Sequence, residues 1–341
     1  MRFRNVCIEG TGYNLPETIL SSREIERQLG NLSQKMKLSP GFLELLTGIR
    51  ERRIWEPGTK PSSVAGIAAK RALANSRVEP GEVDLLIHTG VCRDSLEPAT
   101  ASVIQANLGL SPHCMPFDLS NACLGFLNGL WVASHMIASG NVKTALVVSG
   151  ENAGPIYRDT IRTLQENPDE KLFRKHLANL TLGSGAVAFV LKRSDLSFTG
   201  HFLLGGAAQN DTDSWNLCQG NGDLHHQTME TDTVTLMKKG IRLSHICWQE
   251  FKKNLGWNED TPDIIFNHQV SRVHQNKVFE CLGLDVKKGC GDFETLGNTG
   301  TVATPLSLAL RAEKGLLKKG QSLGLLGIGS GLNCLMLGVQ W

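Results

Sequence analysis

Short runs of consecutive apolar residues alternate with longer helical segments along the whole chain. Residues 83–90 (VDLLIHTG) and 144–150 (TALVVSG) form such runs in the first half, and residues 263–268 (DIIFNH) and 321–327 form them in the second. Short continuous apolar runs are typical of strands that are covered on both faces. Strands that alternate with helices predict an α/β fold, with mostly parallel sheets between helical layers.

The same order of elements occurs in both halves of the chain. In each half a buried strand is followed by a helix, a turn with a second helix, a glycine and a further strand. The repeat predicts a pseudo-symmetric duplication, with an N-terminal half over residues 1–194 and a C-terminal half over residues 195–341. Residues 151–180 are polar and helical, and we expect them to form a lid, a substrate cap or a subunit contact. Residues 196–233 are mixed in pattern, with a Gly/Asn/Asp-rich loop at 209–224.

One cysteine stands where a strand turns into a strongly apolar helix. Residues 117–130 (FDLSNACLGFLNGL) indicate a short strand, a sharp turn, Cys123 and the start of a helix. The segment 124–137 is apolar on nearly every side, which is typical of a buried helix. A helix N-terminus favours a negative charge, so the pattern predicts a stabilised Cys123 thiolate that acts as a nucleophile. The alternative is a small buried thiol with no chemical role.

Composition and charge narrow the classes of function. The 341 residues carry a net charge of +2, which gives no support for a nucleic-acid partner. No apolar run approaches the roughly 18 residues of a membrane span, and the N-terminal residues lack a signal-peptide core. We therefore expect a cytoplasmic protein of two related halves.

The cysteines and histidines do not form a metal-binding pattern. The nine cysteines are scattered and include no CxxC pair, which argues against a zinc ribbon or a redox dithiol. The pair His225-His226 has no flanking ligand motif. We expect reduced thiols, no metal and no resident cofactor.

Three chemically capable residues fall at predicted strand-to-helix connections, where α/β sheets bind ligands: Cys123, His268 and Asn298. A cysteine thiolate can attack an acyl thioester and form an acyl-enzyme. A histidine and an asparagine amide can donate hydrogen bonds to a developing oxyanion. A second oxyanion site could use the backbone N–H of Cys123 and that of Ser330 in the Gly329–Gly331 turn. Each residue alone has a structural alternative, as a core histidine or a turn former.

Cysteine, histidine and asparagine also make up papain-like protease sites. The residues around Cys123 lack the CGSCW-type signature of that class. A duplicated α/β pattern also argues against it.

The chain resembles the thiolase-superfamily condensing enzymes of the 3-oxoacyl synthase III type. The matching segments run from end to end: TGIRER at 47–52, NAC at 121–123, HQ at 268–269, GNT at 297–299 and GSG at 329–331. The resemblance implies a five-layered αβαβα fold, a homodimer and acylation of Cys123 by an acyl thioester. It also implies that His268 and Asn298 form the oxyanion site for the second thioester.

Within that superfamily the chain is more similar to the acyl-CoA condensing enzymes of bacterial olefin biosynthesis. The segments that carry this likeness are residues 93–102, 215–218, 268–272 and 327–334. The likeness implies that two fatty acyl-CoAs are joined without decarboxylation to a 2-alkyl-3-oxoacyl-CoA, with downstream pathway enzymes as possible partners. Such a reaction needs a base for the α-proton, and the likeness assigns that role to Glu97, reaching the active site of the partner subunit.

Other interpretations remain open. Without the family likeness, Glu97 is better interpreted as a surface carboxylate before Pro98. A decarboxylating 3-oxoacyl synthase that uses a malonyl thioester would need no such base. A non-catalytic acyl carrier or scaffold subunit, and thioester hydrolysis without condensation, are the remaining functional alternatives.

The chain departs from carrier-protein-dependent synthases at several positions. Phe42 and Leu46 precede TGIR where those enzymes have a tryptophan and an arginine, and Ser271 replaces an asparagine. The departures weaken the case for carrier-protein recognition and for the usual coenzyme A clamp. By charge alone, the predicted contacts to coenzyme A phosphates are Arg50, Arg52, Arg53 and Arg272.

Overall fold

The computed structural model describes residues 1–223, 225–268 and 270–341, apart from the side chain of Asn31. Within these residues the chain forms fourteen strands. The strands of the first half are β1 (Val6–Asn14), β2 (Ile19–Ser21), β3 (Glu51–Arg53), β4 (Leu85–Thr89), β5 (Met115–Leu119), β6 (Thr144–Glu151) and β7 (Gly185–Arg193). Those of the second half are β8 (Phe202–Asn210), β9 (Cys218–Gly222), β10 (Gln227–Thr231), β11 (Ile264–Asn267), β12 (Gly289–Cys290), β13 (Ser322–Gly329) and β14 (Asn333–Gln340).

The same described residues form twelve α-helices. They are α1 (Ser22–Leu29), α2 (Asn31–Lys35), α3 (Phe42–Thr47), α4 (Pro61–Ser76), α5 (Thr100–Leu108), α6 (Gly125–Ala138), α7 (Gly154–Glu166), α8 (Glu170–His176), α9 (Thr233–Leu255), α10 (Arg272–Leu282), α11 (Phe293–Leu296) and α12 (Ala303–Glu313). Across the described part of the chain, no helix combines the length and the apolarity needed to cross a membrane.

The main sheet consists of two five-stranded sets with identical topology. The first set runs β5-β4-β6-β7-β1 and the second runs β12-β11-β13-β14-β8. In each set the first three strands are parallel, and the next two pairings are antiparallel. A single pairing of Cys7 with Phe202 joins β1 to β8, so the ten strands are continuous. The strand order thus repeats in the two halves, while the boundary after residue 194 stays a prediction.

Helices and strands stack in five layers. Helices α4 and α5 cover the outer face of the first strand set, α6 and α12 lie between the two sets, and α9 and α10 cover the second. Three apolar clusters fill the spaces between the layers: one surrounds the central helices α6 and α12 and contacts both strand sets, and one lies beneath each outer helical layer, as expected when both faces of a sheet are covered. The predicted α/β, thiolase-like αβαβα architecture is confirmed.

The central helix α6 approaches the first strand set unusually closely at Gly129. A Cβ atom there would lie 2.7 Å from Thr89 Cγ2 and 2.8 Å from Val147 Cγ1. At the start of the helix, the backbone N–H of Phe126 donates to Thr301 Oγ1 at 2.7 Å. These contacts fix the position of the helix that follows Cys123.

We expect Gly129→Ala to destabilise the fold by about 1–3 kcal/mol, because an added methyl group would overpack a close-packed interface. Urea unfolding of the variant and the parent measures this loss. Gly66 in α4 is the matched control, since a Cβ there meets nothing within 4 Å. Gly66→Ala is expected to be neutral or to stabilise by about 0.5–1 kcal/mol. Equal effects of the two substitutions would contradict this account of α6.

The polar helical segment predicted outside the repeated core packs as a separate cluster. Helices α1, α2, α3, α7 and α8 share an apolar core that includes Leu29, Leu43 and Leu164. The hairpin β9–β10 joins this cluster through Asp159, whose Oδ2 accepts from the backbone N–H of Gln227 at 2.8 Å. The hairpin could not be predicted from the sequence because its strands are polar and mostly exposed, without an apolar alternation.

Candidate active site

Cys123 is presented by a sharp turn between β5 and α6. Ala122 has a φ of 44°, a left-handed conformation that costs a residue with a side chain about 1–2 kcal/mol. The turn is closed by hydrogen bonds from Leu124 N to Asn121 O at 2.9 Å and from Gly125 N to Ala122 O at 3.3 Å. Cys123 therefore lies in the turn just before the central helix, separated from its first residue by Leu124, close to the position predicted from residues 117–130.

The C-terminal turn of the second half lies against the backbone of Cys123. A Cβ atom on Gly329 would be 3.2 Å from Leu124 Cγ and 3.4 Å from the backbone nitrogen of Cys123, so the turn packs closely against the residues that precede α6. Asn333 holds the turn by donating to Ser330 O at 3.2 Å and to Asn121 Oδ1 at 3.3 Å. The arrangement is compatible with an oxyanion site at the N–H groups of Cys123 and Ser330, which stays a prediction.

His268 follows the end of β11 and is buried, with 5% of its surface exposed. Its backbone N–H donates to Leu326 O at 2.8 Å, which ties it to β13, the strand that ends at Gly329. Burial, and secondarily the nearby His274, lower the pKa of His268 to about 4. The imidazole is therefore neutral near pH 7 and carries one N–H donor. Its sequence neighbour Gln269, part of the predicted motif, lies outside the described residues.

Asn298 is fixed by a turn between α11 and α12. Its backbone N–H donates to Thr181 O at 2.8 Å, and its carbonyl oxygen accepts from Gly183 N at 2.9 Å. The side-chain Oδ1 accepts from Gly300 N at 3.0 Å. Because Oδ1 is engaged within the turn, Nδ2 is the end of the amide that can serve as a donor to a ligand.

The elements that carry the three predicted residues converge at the start of α6. The turn of Asn298 reaches α6 through Thr301, and the strand beside His268 ends at Gly329, against Cys123. The site is thus assembled from both halves of the duplicated fold.

The predicted stabilisation of the Cys123 thiolate is wrong for the free protein. Burial raises the pKa of the Cys123 thiol to about 12, and the charges of Cys218 and Glu151 act in the same direction. A hydrogen bond from the backbone lowers the pKa, but by less. The favourable field of the helix terminus is outweighed because the thiolate would lose its hydration beside other negative groups. The resting site holds a neutral thiol.

We expect alkylation of Cys123 by iodoacetamide to accelerate about tenfold per pH unit from pH 7 to pH 10, because the thiolate fraction grows this way below the pKa. Peptide mass spectrometry measures the rate at Cys123 separately from those of the other eight cysteines. A rate that levels off by pH 8 would contradict the raised pKa of Cys123.

Glu151 belongs to the site but was missed in the sequence analysis. It is the last residue of β6 and only 6% exposed. Its Oε1 accepts from Val91 N at 3.0 Å and its Oε2 from Cys92 N at 3.4 Å. Burial raises the pKa of Glu151 despite these hydrogen bonds. The sequence feature that could have identified Glu151 is a carboxylate at the end of the apolar run TALVVSGE.

Glu97 lies on the surface of the chain, in the loop 91–99 between β4 and α5. The neighbouring Leu96 is 92% exposed, and Ser95 Oγ donates to the carbonyl oxygen of Glu97 at 2.9 Å. Within one chain, the carboxylate is therefore displayed outward. The role of Glu97 as a base in a partner subunit stays a prediction.

The arginines predicted to contact coenzyme A differ in their surroundings. Arg50 and Arg272 are exposed, and Arg53 donates to Pro16 O at 2.8 Å. Arg52 is only 1% exposed and donates to Ser22 Oγ at 3.0 Å and Leu180 O at 2.9 Å. The assignment of Arg52 to a phosphate contact is wrong, because its guanidinium lies in the interior and binds protein groups.

Known proteins resemble this chain in sequence and in fold. Residues 117–205 match the 3-oxoacyl-[acyl-carrier-protein] synthase III family, and residues 252–341 match the C-terminal family of the same enzymes. Acyl-CoA:acyl-CoA alkyltransferases of Shewanella oneidensis and Xanthomonas campestris are 38% and 41% identical, each over 100% of both chains. A beta-ketoacyl-[acyl-carrier-protein] synthase III of Neisseria gonorrhoeae is 29% identical over 95% of both chains.

Solved structures of the same group of proteins also resemble this chain. A cysteine-to-alanine variant of Xanthomonas campestris OleA has a TM-score of 0.96 and 39% identity, covering 100% of this chain and 98% of that chain. A cysteine-to-serine variant of the same protein, with bound lauric acid and lauroyl-CoA, has a TM-score of 0.95 and 39% identity over 99% of this chain and 100% of that chain. From its sequence, its fold and the site at Cys123, this chain belongs to the acyl-CoA:acyl-CoA alkyltransferase family of thiolase-fold condensing enzymes.

Proposed function

We propose that this protein joins two fatty acyl-CoAs by a non-decarboxylative Claisen condensation. Two acyl-CoA molecules yield one 2-alkyl-3-oxoacyl-CoA and one free coenzyme A. The main observation behind the proposal is that three segments converge at the start of α6. Cys123 lies there beside the segments that hold the neutral His268 and Asn298. The full-length likeness to acyl-CoA:acyl-CoA alkyltransferases supports the same reaction.

The first half-reaction is acylation of Cys123. The sulfur attacks the carbonyl carbon of an acyl-CoA, the thioester C–S bond breaks, and the proton of the thiol leaves with coenzyme A. The N–H groups of Cys123 and Ser330 would stabilise the oxyanion of the tetrahedral intermediate. Because the thiol is neutral at rest, its proton must be removed as the sulfur attacks.

The second half-reaction forms the new carbon–carbon bond. The carbonyl oxygen of a second acyl-CoA accepts hydrogen bonds from His268 and from Asn298 Nδ2, which stabilises the enolate. Glu97 of the partner subunit removes the α-proton. The α-carbon then attacks the acyl group on Cys123, whose thiolate leaves and is reprotonated. A neutral His268 suits this role, since it donates a hydrogen bond without having to bring a charge into a buried site.

A homodimer is part of this proposal. Strand β5 is the edge of the first strand set among the described residues, and its Met115 is 53% exposed. The adjoining loop exposes Val91 and Leu96 beside Glu97. An unpaired strand edge beside exposed apolar side chains supports a subunit contact in which Glu97 leaves its own chain.

Substrate binding and location complete the proposal. Arg50, Arg53 and Arg272 are the remaining basic side chains proposed for the phosphates of coenzyme A. All nine cysteines are free thiols, which supports a reducing compartment such as the cytoplasm. The 2-alkyl-3-oxoacyl-CoA would pass to a downstream enzyme.

Incubation with lauroyl-CoA as the only substrate tests the proposal against a decarboxylating synthase. We expect steady release of coenzyme A together with a 2-alkyl-3-oxoacyl-CoA. A single equivalent of coenzyme A per chain, with turnover only after malonyl thioester is added, would contradict the proposal. Steady release of coenzyme A with lauric acid as the only product would also contradict it.

A further inference from the structure

The loop that carries Glu97 is anchored by buried and half-buried carboxylates. Beyond the loop, the backbone N–H groups of Thr100 and Ala101 donate to Asp118 at 2.9 and 2.8 Å. In the middle of the loop, Asp94 accepts from the backbone and hydroxyl of Ser62 at 2.9 and 2.5 Å. These bonds hold the C-terminal part of the loop to its own chain.

The N-terminal part of the same loop is held by Glu151, through the hydrogen bonds from Val91 and Cys92 described above. Glu151 also packs near the turn that carries Asn298, since a Cβ atom on Gly300 would lie 3.7 Å from Glu151 Cγ. Gly300 is the residue whose N–H fixes the amide of Asn298. One carboxylate therefore contacts both the Glu97 loop and the turn that sets Asn298.

A buried histidine connects the two anchors. His88 Nδ1 lies 3.5 Å from Asp118 Oδ1. On its other side, a Cβ atom on Gly90 would lie 3.4 Å from His88 Cε1 and 3.5 Å from Glu151 Oε1. Asp118, His88 and Glu151 thus lie near one another beneath the loop. Buried side chains packed beneath a loop are suited to holding a loop residue in one position.

Burying the carboxyl group of Glu151 is a costly way to hold two backbone N–H groups, and burial accordingly raises its pKa. A neutral glutamine would avoid the cost of desolvating a carboxylate, but it has only one acceptor oxygen for the two backbone donors Val91 and Cys92. The acidic residue also disfavours the thiolate of Cys123. The cost of burying Glu151 is explained if the loop 91–99 must be held more firmly than folding alone requires.

We propose that Glu151 is a positioning residue for the condensation step, which fixes the loop 91–99 so that Glu97 is held at the productive distance from the α-carbon. This inference rests on the proposed function. It assigns Glu151 no contact with the substrate. Acylation of Cys123 does not use Glu97, so loss of Glu151 should separate the two half-reactions.

The variant Glu151→Gln tests this separation. It keeps the size of the side chain but places an NH₂ group against one of the two backbone donors. We expect the burst of coenzyme A from lauroyl-CoA to stay near one equivalent per chain, at a rate no lower than about a third of the parent rate, since loss of the carboxylate also favours the Cys123 thiolate. The condensation rate should fall about 10- to 100-fold, the effect expected when a catalytic group is displaced by about 1 Å. The melting temperature is recorded for each variant.

Glu166→Gln makes the same chemical change at an exposed position on α7, and both half-reactions should stay at parent rates. The Glu151→Asp variant keeps a carboxyl group but shortens the side chain by one methylene, which moves its oxygens away from the N–H groups of Val91 and Cys92. We expect this variant also to lose condensation while it keeps acylation. If the Glu151→Gln variant fails to fold, the Glu151→Asp variant provides the test of the inference. Full condensation by either folded variant, or an equal loss of acylation and condensation, would overturn the inference. A parent protein that makes no condensed product would instead overturn the proposed function.

Discussion

Replacing Glu97 by glutamine is expected to leave acylation of Cys123 intact and to reduce condensation by about 10²- to 10⁴-fold, the usual contribution of a positioned general base. Glutamine keeps the shape of the exposed side chain but cannot accept the α-proton. Mass spectrometry of the intact protein after addition of lauroyl-CoA should show the acyl adduct on Cys123. The rate of product formation is measured in parallel. Unchanged condensation would remove Glu97 from the mechanism.

Mixed dimers test whether Glu97 acts across the subunit interface. A Cys123→Ala chain and a Glu97→Gln chain are each expected to be inactive alone. In a mixed dimer, the intact Cys123 of one chain would meet the intact Glu97 of the other. We therefore expect activity to return on mixing and exchange of subunits. If Glu97 acted within its own chain, no mixed dimer would hold a complete site, and activity would stay absent.

Replacing Cys123 by alanine is expected to abolish both the acyl adduct and the release of coenzyme A, because every later step depends on the acyl-enzyme. The alanine side chain should fit at position 123, and the free energy of unfolding should change by no more than about 1 kcal/mol. Denaturant unfolding checks that the variant is folded. Steady coenzyme A release by a folded Cys123→Ala variant would show that the acyl group does not pass through this cysteine.

The large features of the molecule could be predicted from sequence because they follow from apolar patterning. The continuous apolar runs identified the central strands, and the helix after Cys123 was predicted almost to its observed bounds. Cys123, His268 and Asn298 could be chosen because each follows a strand or a turn, where side chains meet at one edge of a sheet.

Other features depend on contacts between distant segments and could not be predicted. Arg52 looked like a surface cation among other basic residues, yet its partners Ser22 and Leu180 place it in the core. The raised pKa of Cys123 reflects burial and the proximity of Glu151, which no local pattern encodes. The β9–β10 hairpin is stabilised by its contacts with the helical cluster, including that of Asp159, rather than by an apolar face of its own.

The most direct test of the central claim follows both carbonyl carbons of the substrate into the product. Lauroyl-CoA labelled with carbon-13 at its carbonyl is supplied as the only substrate, and the 2-alkyl-3-oxoacyl-CoA is analysed intact by mass spectrometry. A non-decarboxylative condensation retains the label at both the thioester carbonyl and the 3-oxo carbon. A condensed product with one labelled carbonyl, or labelled lauric acid alone, would contradict the proposed reaction.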